Sequence, residues 1–345
     1  MVKIEIIPES IELIKLTDEE YFSNKYKEYV SNSKLSLLNP DEEGSIEKFE
    51  LGFESKFSDS FELGGAVHAI VLQPDEYIIS DLHKPSGKLG IFVTEVLNYR
   101  KKGFTLIDSF NEASKKSDYY SSSLTSTRLK KAIKTGLPFY LKRYKKSENK
   151  KIQEIYLSKS NFDKYKMCLT GISENIKFQN LIKPEGFIQD PEVFNEFAIF
   201  CEANVFFDDV LVKKIKLKSK LDNFTIDHES KIITLNDLKT TGKPVNFFMG
   251  SKIKKINDSG EEELIWIPGS FQKYRYYRQM GMYLWMLQSA IKHIYKYDYK
   301  YNVNMLVVET IPNFKSKIYK VPNSSITKGL NELKQLLIYY AKESK

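Results

Sequence analysis

Two runs of alternating polar and apolar side chains, joined by a short polar segment, constrain the fold of this chain most strongly. In the first run, 216–222, lysines and an aspartate alternate with leucines and a serine, as in a strand with one buried face. The segment 227–230 (DHES) is made of turn formers, and alternation resumes over 231–239. The pattern predicts a β-hairpin in which Asp222 ends the first strand on its polar face.

This hairpin carries two carboxylates and one lysine toward its open end. Side chains along a strand repeat every two residues, so Asp237 and Lys239 share one face while Leu238 points to the other. A hairpin closed at 227–230 places Asp222 nearly opposite Asp237. The alternative is an ordinary amphipathic hairpin whose Lys and Asp side chains face solvent.

Carboxylates in this arrangement suit Mg²⁺ or Mn²⁺, hard cations that take oxygen ligands and keep several waters. One or two such ions would polarise a phosphodiester and stabilise the leaving oxygen. We expect Lys239 to position and deprotonate the attacking water.

Two further segments contain candidate site residues on predicted helices. In SFELGGAVHAIVL, Gly64 precedes His68 by four residues, and an imidazole facing the metal site would serve as a ligand or a phosphate contact. In FQKYRYYRQMGMYLWML, Gln279 and Tyr283 lie one helical turn apart on one face. Taken singly, His68 is more typical of a core histidine, and the Gln–Tyr pair of the polar edge of a core helix.

In their order along the chain, these motifs resemble the PD-(D/E)XK nuclease superfamily, specifically its exonuclease VIII (RecE-like) and RecB-like branch, as found in phage-encoded systems. SNSKLSLLNP and VVETIP are similar to the opening segment and the last strand of that branch. The resemblance rests on Gly64 with His68, Glu196 or Glu202, Asp222, the run Asp237-Leu238-Lys239-Thr240-Thr241, and Gln279 with Tyr283.

The resemblance implies an α/β (α+β) fold with a restriction-endonuclease-like core, in which helices flank a central mixed sheet and a helical subdomain is added. It also implies roles for single residues. Glu196, followed by Phe-Ala-Ile, matches the upstream glutamate better than Glu202, which has the same parity on the same predicted strand. The implied metal ligands are His68, Asp222, Asp237, the Leu238 carbonyl and this glutamate; Lys239 would be the catalytic lysine, with Gln279 and Tyr283 lining the site.

By the same resemblance, the chain would be a Mg²⁺-dependent exodeoxyribonuclease that digests linear double-stranded DNA from its ends during recombination or repair. A single-strand annealing protein and further copies of the chain are the expected partners. An endonuclease of the same superfamily and a non-catalytic DNA-binding accessory protein are the alternatives.

Composition limits the class of protein. Among 345 residues, 41% are hydrophobic and 13% aromatic, which predicts a packed core. No apolar run approaches the roughly 20 residues that cross a bilayer, and MVKIEIIPES lacks the features of a signal peptide. We therefore expect a cytoplasmic protein without a membrane partner. Cys168 and Cys201 cannot supply the four-cysteine iron–sulfur site of the Cas4-like nucleases.

Most of the net charge of +8 lies in one segment. Residues 128–151 contain ten Lys or Arg and a single acid, Glu148, and such a concentration favours a polyanionic partner. Phe139, Tyr140 and Tyr144 are interleaved with the charges, as in surfaces that stack on bases; a solvated basic helix face is the alternative. The predicted DNA contacts are Lys130, Lys131, Lys142, Arg143, Lys145, Lys146 and, after the catalytic strand, Lys243.

The resemblance implies one nuclease domain spanning 1–345. Its parts are an irregular, partly helical N-terminal segment (1–60), the His68 helix (61–80), an inserted basic helical subdomain (85–185), and the catalytic sheet with its helices (194–345). Within the last part we expect three strands from Phe194 to Thr240, a loop at 242–269, the Gln279 helix, a strand at 303–310 and a helix at 325–341.

Overall fold

The computed structural model describes residues 2–52, 59–119, 132–145, 152–184, 191–256 and 261–343. The chain divides into two compact units, one formed by Met1–Ser55 and Gly171–Lys345 and the other by Lys56–Thr170. The second unit overlaps the insertion predicted at 85–185 but begins earlier, so that it also contains the His68 helix.

Eleven strands are found among the described residues and are numbered along the chain. They are β1 (Val2–Ile6), β2 (Glu12–Lys15), β3 (Tyr77–Ile79), β4 (Gln153–Ile155), β5 (Glu192–Phe207), β6 (Val210–Asp227), β7 (Ile232–Thr241), β8 (Ser251–Ile256), β9 (Glu262–Ile267), β10 (Lys300–Glu309) and β11 (Ser316–Lys320).

The helices of the described residues are numbered in the same way. They are α1 (Asp18–Tyr21), α2 (Asn32–Ser36), α3 (Ile46–Leu51), α4 (Asp59–Leu72), α5 (Gly87–Lys101), α6 (Leu106–Ser117), α7 (Leu137–Lys145), α8 (Lys159–Ser173), α9 (Ile176–Ile182), α10 (Ser270–Lys273), α11 (Tyr276–Tyr295) and α12 (Asn323–Glu343). Short 3-10 turns occur at Pro8–Ser10, Asn24–Tyr26, Pro40–Glu42 and Val245–Phe247, and a π-helical turn at Ala132–Gly136.

A seven-stranded mixed sheet forms the centre of the first unit. Its order is β1-β5-β6-β7-β10-β11, and β2 pairs with β5 beside β1. β7 and β10 run parallel, and the other pairs are antiparallel. The connection from β7 to β10 contains α11, as the crossover between parallel strands requires. The expected α/β class with a central mixed sheet flanked by helices is therefore present.

Two hairpin turns set the register of the three central strands. Asp208 and Asp209, between β5 and β6, both have positive φ (48° and 62°), as a two-residue type I′ turn requires. The second hairpin, β6–β7, closes where the sequence predicted, because Asp227 pairs with Ile232. The prediction that Asp222 ends its strand was wrong, since β6 continues to Asp227.

Helices α11 and α12 pack closely on each other and contribute to the core that covers the sheet. A Cβ added at Gly329 would lie 2.0 Å from the Tyr277 carbonyl oxygen, and one at Gly281 would lie 2.5 Å from the Leu330 nitrogen. Any larger residue at either position would push the helices apart. This contact fixes α11, the helix that carries Gln279 and Tyr283.

The lysines of the β6 alternation hold the N-terminal segment. Lys218, which is 8% exposed, donates to the backbone carbonyls of Tyr21 and Tyr26 at 3.0 Å each. On either side of it, Lys216 pairs with Glu28 and Lys220 with Asp18. The polar face of β6 is thus largely covered by residues 18–28 rather than by solvent.

Two predictions of irregular structure were wrong. The segment 1–60, expected to be irregular and partly helical, contributes β1 and β2 to the sheet. The segment 242–269, expected to be a loop, contains the β8–β9 hairpin. Its strands are exposed on both faces over most of their length, so they lack the alternation that identifies a strand in a sequence.

The second unit is mainly helical and has its own core. Side chains of α5, α6 and α7, with Tyr119 and Tyr156, form one buried cluster, and β3 pairs with β4 in parallel. Lys84 and Glu62 form a buried ion pair, and Asn161 donates to the same carboxylate at 3.2 Å. In neither unit does a helix of the described residues combine the length and apolar character needed to span a bilayer.

Candidate functional site

Three acidic side chains lie side by side on three neighbouring strands of the first unit. In the β5–β6 register, the pairs Asn195–Asn223 and Phe197–Leu221 flank Glu196 and Asp222 and so place these two opposite each other. The β6–β7 register, continued by one residue, puts Asp222 opposite Asp237. A carboxylate oxygen of Glu196 and one of Asp222 lie within 4.8 Å of each other. The sheet therefore gathers the three acids from segments separated by up to forty residues of sequence.

Lys239 is the cation beside these acids. Its Nζ lies 2.6 Å from Asp237 Oδ2 and 3.9 Å from Asp222 Oδ2, and it donates to the Leu238 carbonyl at 3.3 Å. Burial lowers the pKa of Lys239, but the charges of Asp237 and Asp222 outweigh burial and hold this pKa above its ordinary value. In the metal-free protein these contacts favour the ammonium form of Lys239, which donates to the Leu238 carbonyl and pairs with Asp237.

Asp222 is hydrogen-bonded to the backbone of β7, the strand that carries Asp237. The backbone N–H of Leu238 donates to Asp222 Oδ2 at 2.7 Å. Burial raises the pKa of Asp222, while Lys239 and this hydrogen bond act against the rise. Burial prevails, so an ionised Asp222 is costly unless a further positive charge is present.

Glu196 has a strained backbone conformation, and its side chain pairs with a second lysine, Lys220. Its φ of 57° lies in the left-handed region, which is unfavourable for a non-glycine residue and often marks functional sites. Its Oε2 lies 2.7 Å from Lys220 Nζ. Burial and, to a smaller degree, Asp222 raise the pKa of Glu196 to about 7, and Lys220 opposes the rise.

The structure separates the two glutamates between which the sequence left a choice. Glu202 pairs with Lys216 in the β5–β6 register, six residues along the strand from Glu196. At about 3.3 Å per residue, that is about 20 Å away. Glu196 is the one that the sheet brings to Asp222.

Gln279 and Tyr283 reach the same acids from α11. Gln279 Nε2 donates to Tyr283 Oη at 2.8 Å and lies 3.4 Å from Asp237 Oδ1. Burial and the charge of Asp237 raise the pKa of Tyr283 well above its ordinary value, so the phenol stays protonated. These two side chains orient Asp237 from the helix side.

Three residues near the site were absent from the sequence-based set. Lys220 has the same strand parity as Asp222, and that signal was available in the alternation of 216–222. Tyr276, whose ring centroid lies 5.3 Å from Lys239 Nζ, precedes Gln279 by three residues and so shares its helix face. Asp18, which pairs with Lys220 at 2.5 Å, comes from a distant segment and had no such signal.

His68 lies on α4 in the second unit. The three acids, Lys239, Gln279 and Tyr283 all belong to the first unit, and the role expected for His68 stays a prediction.

The predicted DNA contacts are only partly within the described residues. Lys142 on α7 is exposed, and Arg143 on the same helix stacks over the Tyr156 ring at 4.3 Å. Lys145 ends that helix, Lys243 follows β7 and is exposed, and Lys130, Lys131 and Lys146 lie outside the described residues.

The prediction of base-stacking aromatic residues was wrong for two of its three members. Phe139 and Tyr140 are 5% and 8% exposed and belong to the core of the second unit. The side chain of Tyr144 lies outside the described part of the chain. Only positive charge, and not aromatic stacking by Phe139 or Tyr140, therefore remains as a reason to place nucleic acid on α7.

Comparison with known proteins identifies a structural likeness but no sequence relative. No protein-family model matches the sequence, and no curated protein does. A crystal structure from Eubacterium rectale, named "Putative exonuclease", is similar with a TM-score of 0.45 and 14% identity, over 96% of this chain and 88% of that one. At this level of similarity, the function has to be argued from the residues of the site.

Proposed function

We propose that this chain is a metal-dependent deoxyribonuclease of the PD-(D/E)XK type. The observation that carries the proposal is the convergence of Glu196, Asp222 and Asp237 on adjacent strands, with Lys239 2.6 Å from Asp237. Acids in a row beside one lysine are the elements that metal-assisted phosphodiester hydrolysis needs. The order of these residues along the chain agrees with the superfamily that the sequence resembles.

The donor set fits a hard divalent cation. The three carboxylates offer oxygen ligands, which Mg²⁺ and Mn²⁺ prefer. Burial raises the pKa of Glu196 and of Asp222, and a nearby cation would favour their ionised forms. Asp222, Asp237 and Glu196 would hold the ion, with the Leu238 carbonyl and, by the resemblance, His68 as further ligands.

A bound ion would polarise the phosphodiester and lower the pKa of a bound water. The protein's own groups do the rest. Protonated Lys239 donates a hydrogen bond to a phosphate oxygen or to the attacking water, and Gln279 with Tyr283 keeps Asp237 oriented. Because Asp237 is 1% exposed, bulk water is kept from that carboxylate, and its electrostatic effect is correspondingly strong.

Double-stranded DNA with free ends is the substrate that we propose, for use in recombination or repair. The support is the resemblance to the exonuclease VIII branch and the positive charge of residues 128–151. A single-strand annealing protein and other copies of this chain are proposed partners on the resemblance alone. An endonuclease of the same superfamily is the second candidate, since the same acids and lysine serve both reactions.

The experiment compares linear duplex DNA with the same plasmid as a closed circle, in Mg²⁺ and in EDTA. We expect the linear form to be digested and the closed circle to be spared. Lys239→Ala should lower the rate by about 10²-fold or more, whereas Lys214→Ala, which removes an exposed lysine from β6, should not. Cutting of the closed circle would favour the endonuclease, and undiminished digestion by Lys239→Ala would refute the site.

A further inference from the structure

Four asparagine side chains form a continuous hydrogen-bonded row across the sheet. Asn223 Nδ2 donates to Asn195 Oδ1 at 2.7 Å, and Asn236 Nδ2 donates to Asn223 Oδ1 at 2.7 Å. Asn304 Nδ2 donates to Asn236 Oδ1 at 2.9 Å. The row thus joins β5, β6, β7 and β10 through their side chains, in addition to the backbone ladder.

The middle of the row is buried and is also hydrogen-bonded to the end of helix α9. Asn236 and Asn223 are 0% and 1% exposed. Each also donates to a backbone carbonyl at the end of α9, Asn236 to Leu181 at 3.0 Å and Asn223 to Ile182 at 3.3 Å. Buried amides with this many partners hold their strands firmly, because each lost bond would leave a polar group unpaired.

Three members of the row are sequence neighbours of the three acids. Asn195 precedes Glu196, Asn223 follows Asp222, and Asn236 precedes Asp237. Because successive side chains of a strand point to opposite faces, the row lies on one face of the sheet directly behind the acids on the other. The fourth member, Asn304, has Val303 and Met305 as neighbours, so its strand contributes no acid at this level.

The asparagine row can control how neighbouring strands are aligned along their length. Alternation of apolar residues excludes a slip by one residue but tolerates a slip by two, which would move neighbouring acids about 7 Å apart along the strands. A two-residue slip would also separate the buried amides from one another. Asn195 is also the residue immediately before Glu196, whose backbone has the left-handed conformation. Its hydrogen bond to Asn223 therefore holds the chain where that conformation begins.

We propose that Asn195, Asn223 and Asn236 are positioning residues that keep Glu196, Asp222 and Asp237 at the spacing of a metal site. The inference rests on the proposed function, since it assigns to the asparagine row the alignment of the same metal ligands. The asparagines act through the backbone and touch neither metal nor substrate.

The two ends of the row offer a matched comparison. Asn195→Ala and Asn304→Ala each remove one hydrogen bond between asparagine side chains, but only Asn195 adjoins an acid. Asn304 is 8% exposed and Asn195 is more exposed, so Asn304→Ala should destabilise the fold at least as much. A purely structural role would therefore weaken metal binding as much in Asn304→Ala as in Asn195→Ala.

The measurement is Mn²⁺ affinity, from the loss of the free-ion signal in electron paramagnetic resonance, on full-length protein with melting temperatures recorded in parallel. We expect Asn195→Ala and Asn236→Leu to weaken Mn²⁺ binding by about tenfold or more, as changes behind metal ligands commonly do. Asn304→Ala should stay within about twofold of the wild type. Asn195→Ala, at the less buried end of the row, keeps the test informative if Asn236→Leu does not fold.

The outcomes separate this inference from the proposed function. Wild-type affinity in Asn195→Ala, or an equal loss in Asn195→Ala and Asn304→Ala, would overturn the positioning role while leaving the nuclease proposal in place. A wild-type protein that takes up no Mn²⁺ and cuts no DNA would overturn the proposed function, and this inference with it.

Discussion

The backbone N–H of Leu238 donates a 2.7 Å hydrogen bond to the Asp222 carboxylate. Leu238 stands between Asp237 and Lys239, so Asp222 is bonded to the backbone that carries both of the other central groups. This bond needs an acceptor at Asp222 but not a negative charge. A substitution that keeps the acceptor but removes the charge can therefore separate the structural role of Asp222 from its electrostatic role.

Asp222→Asn should keep the fold intact, because the amide oxygen can still accept from Leu238. Burial raises the pKa of Asp222, so the neutral side chain should leave stability in metal-free buffer at neutral pH unchanged or higher. Asp222→Ala leaves the Leu238 N–H without this partner and should cost about 1–3 kcal/mol. Urea denaturation of both variants checks this, and equal destabilisation by Asn and Ala would contradict it.

Glu196 should make stability depend on pH. Its pKa in the folded protein, about 7, lies above the ordinary value of 4.5, so the folded state binds the proton more tightly than the unfolded state. The resulting stabilisation is fully present below pH 4.5 and is lost as pH rises to about 7.

In metal-free buffer, the free energy of unfolding of Glu196→Gln relative to that of the wild type should therefore increase from pH 5 to pH 8, by on the order of 2 kcal/mol. Urea denaturation across this range measures the gain. Parallel stability curves for the two proteins would show that Glu196 does not titrate as described.

Lys239 and Asp237 should depend on each other for stability. Asp237 is 1% exposed, and Lys239→Met would leave its carboxylate without the cation 2.6 Å away. We expect a loss of about 3 kcal/mol for Lys239→Met in metal-free buffer, and recovery of much of it in the double variant with Asp237→Asn. A double-mutant cycle measures the coupling, and additive losses would argue against it.

By the resemblance to the RecB-like branch, His68 should contribute to metal affinity. His68→Ala is expected to weaken Mn²⁺ binding by about tenfold or more, measured by calorimetry. His293→Ala, on α11 of the first unit, serves as the control for loss of an imidazole. Unchanged affinity in His68→Ala would remove this residue from the site and weaken the branch assignment, while the roles of the three acids would stand.

The sequence predicted the β6–β7 hairpin well because its lysine alternation and its turn formers agree. The same alternation gave the wrong end for β6, because the pattern stops at Asp222. The next two residues, Asn223 and Phe224, lie on opposite faces of β6 and are both buried, at 1% and 0% exposure. A strand covered on both faces loses its period of two. The strand end was therefore placed five residues too early.

The choice between Glu196 and Glu202 could not be made from parity, since both face the same way. A further signal was present in the two-residue turn Asp208–Asp209. Counting back from that turn along both strands brings Asn195 opposite Asp222, and the irregularity between Val205 and Phe206 shifts the pairing by one residue, to Glu196. The count therefore excludes Glu202, which lies six residues farther along β5. The asparagine row was harder to foresee, because isolated asparagines in strands become meaningful only when the register of four strands is known.

The central claim is that Asp237 belongs to a metal-dependent phosphodiesterase site. Its most direct test is the release of nucleotides from linear duplex DNA in Mg²⁺ by the wild type, Asp237→Asn and the control Asp227→Asn, which changes an aspartate at the far end of β6. We predict metal-dependent release by the wild type and the control, and a loss of about 10²-fold or more in Asp237→Asn. Equal release by all three proteins would contradict the account.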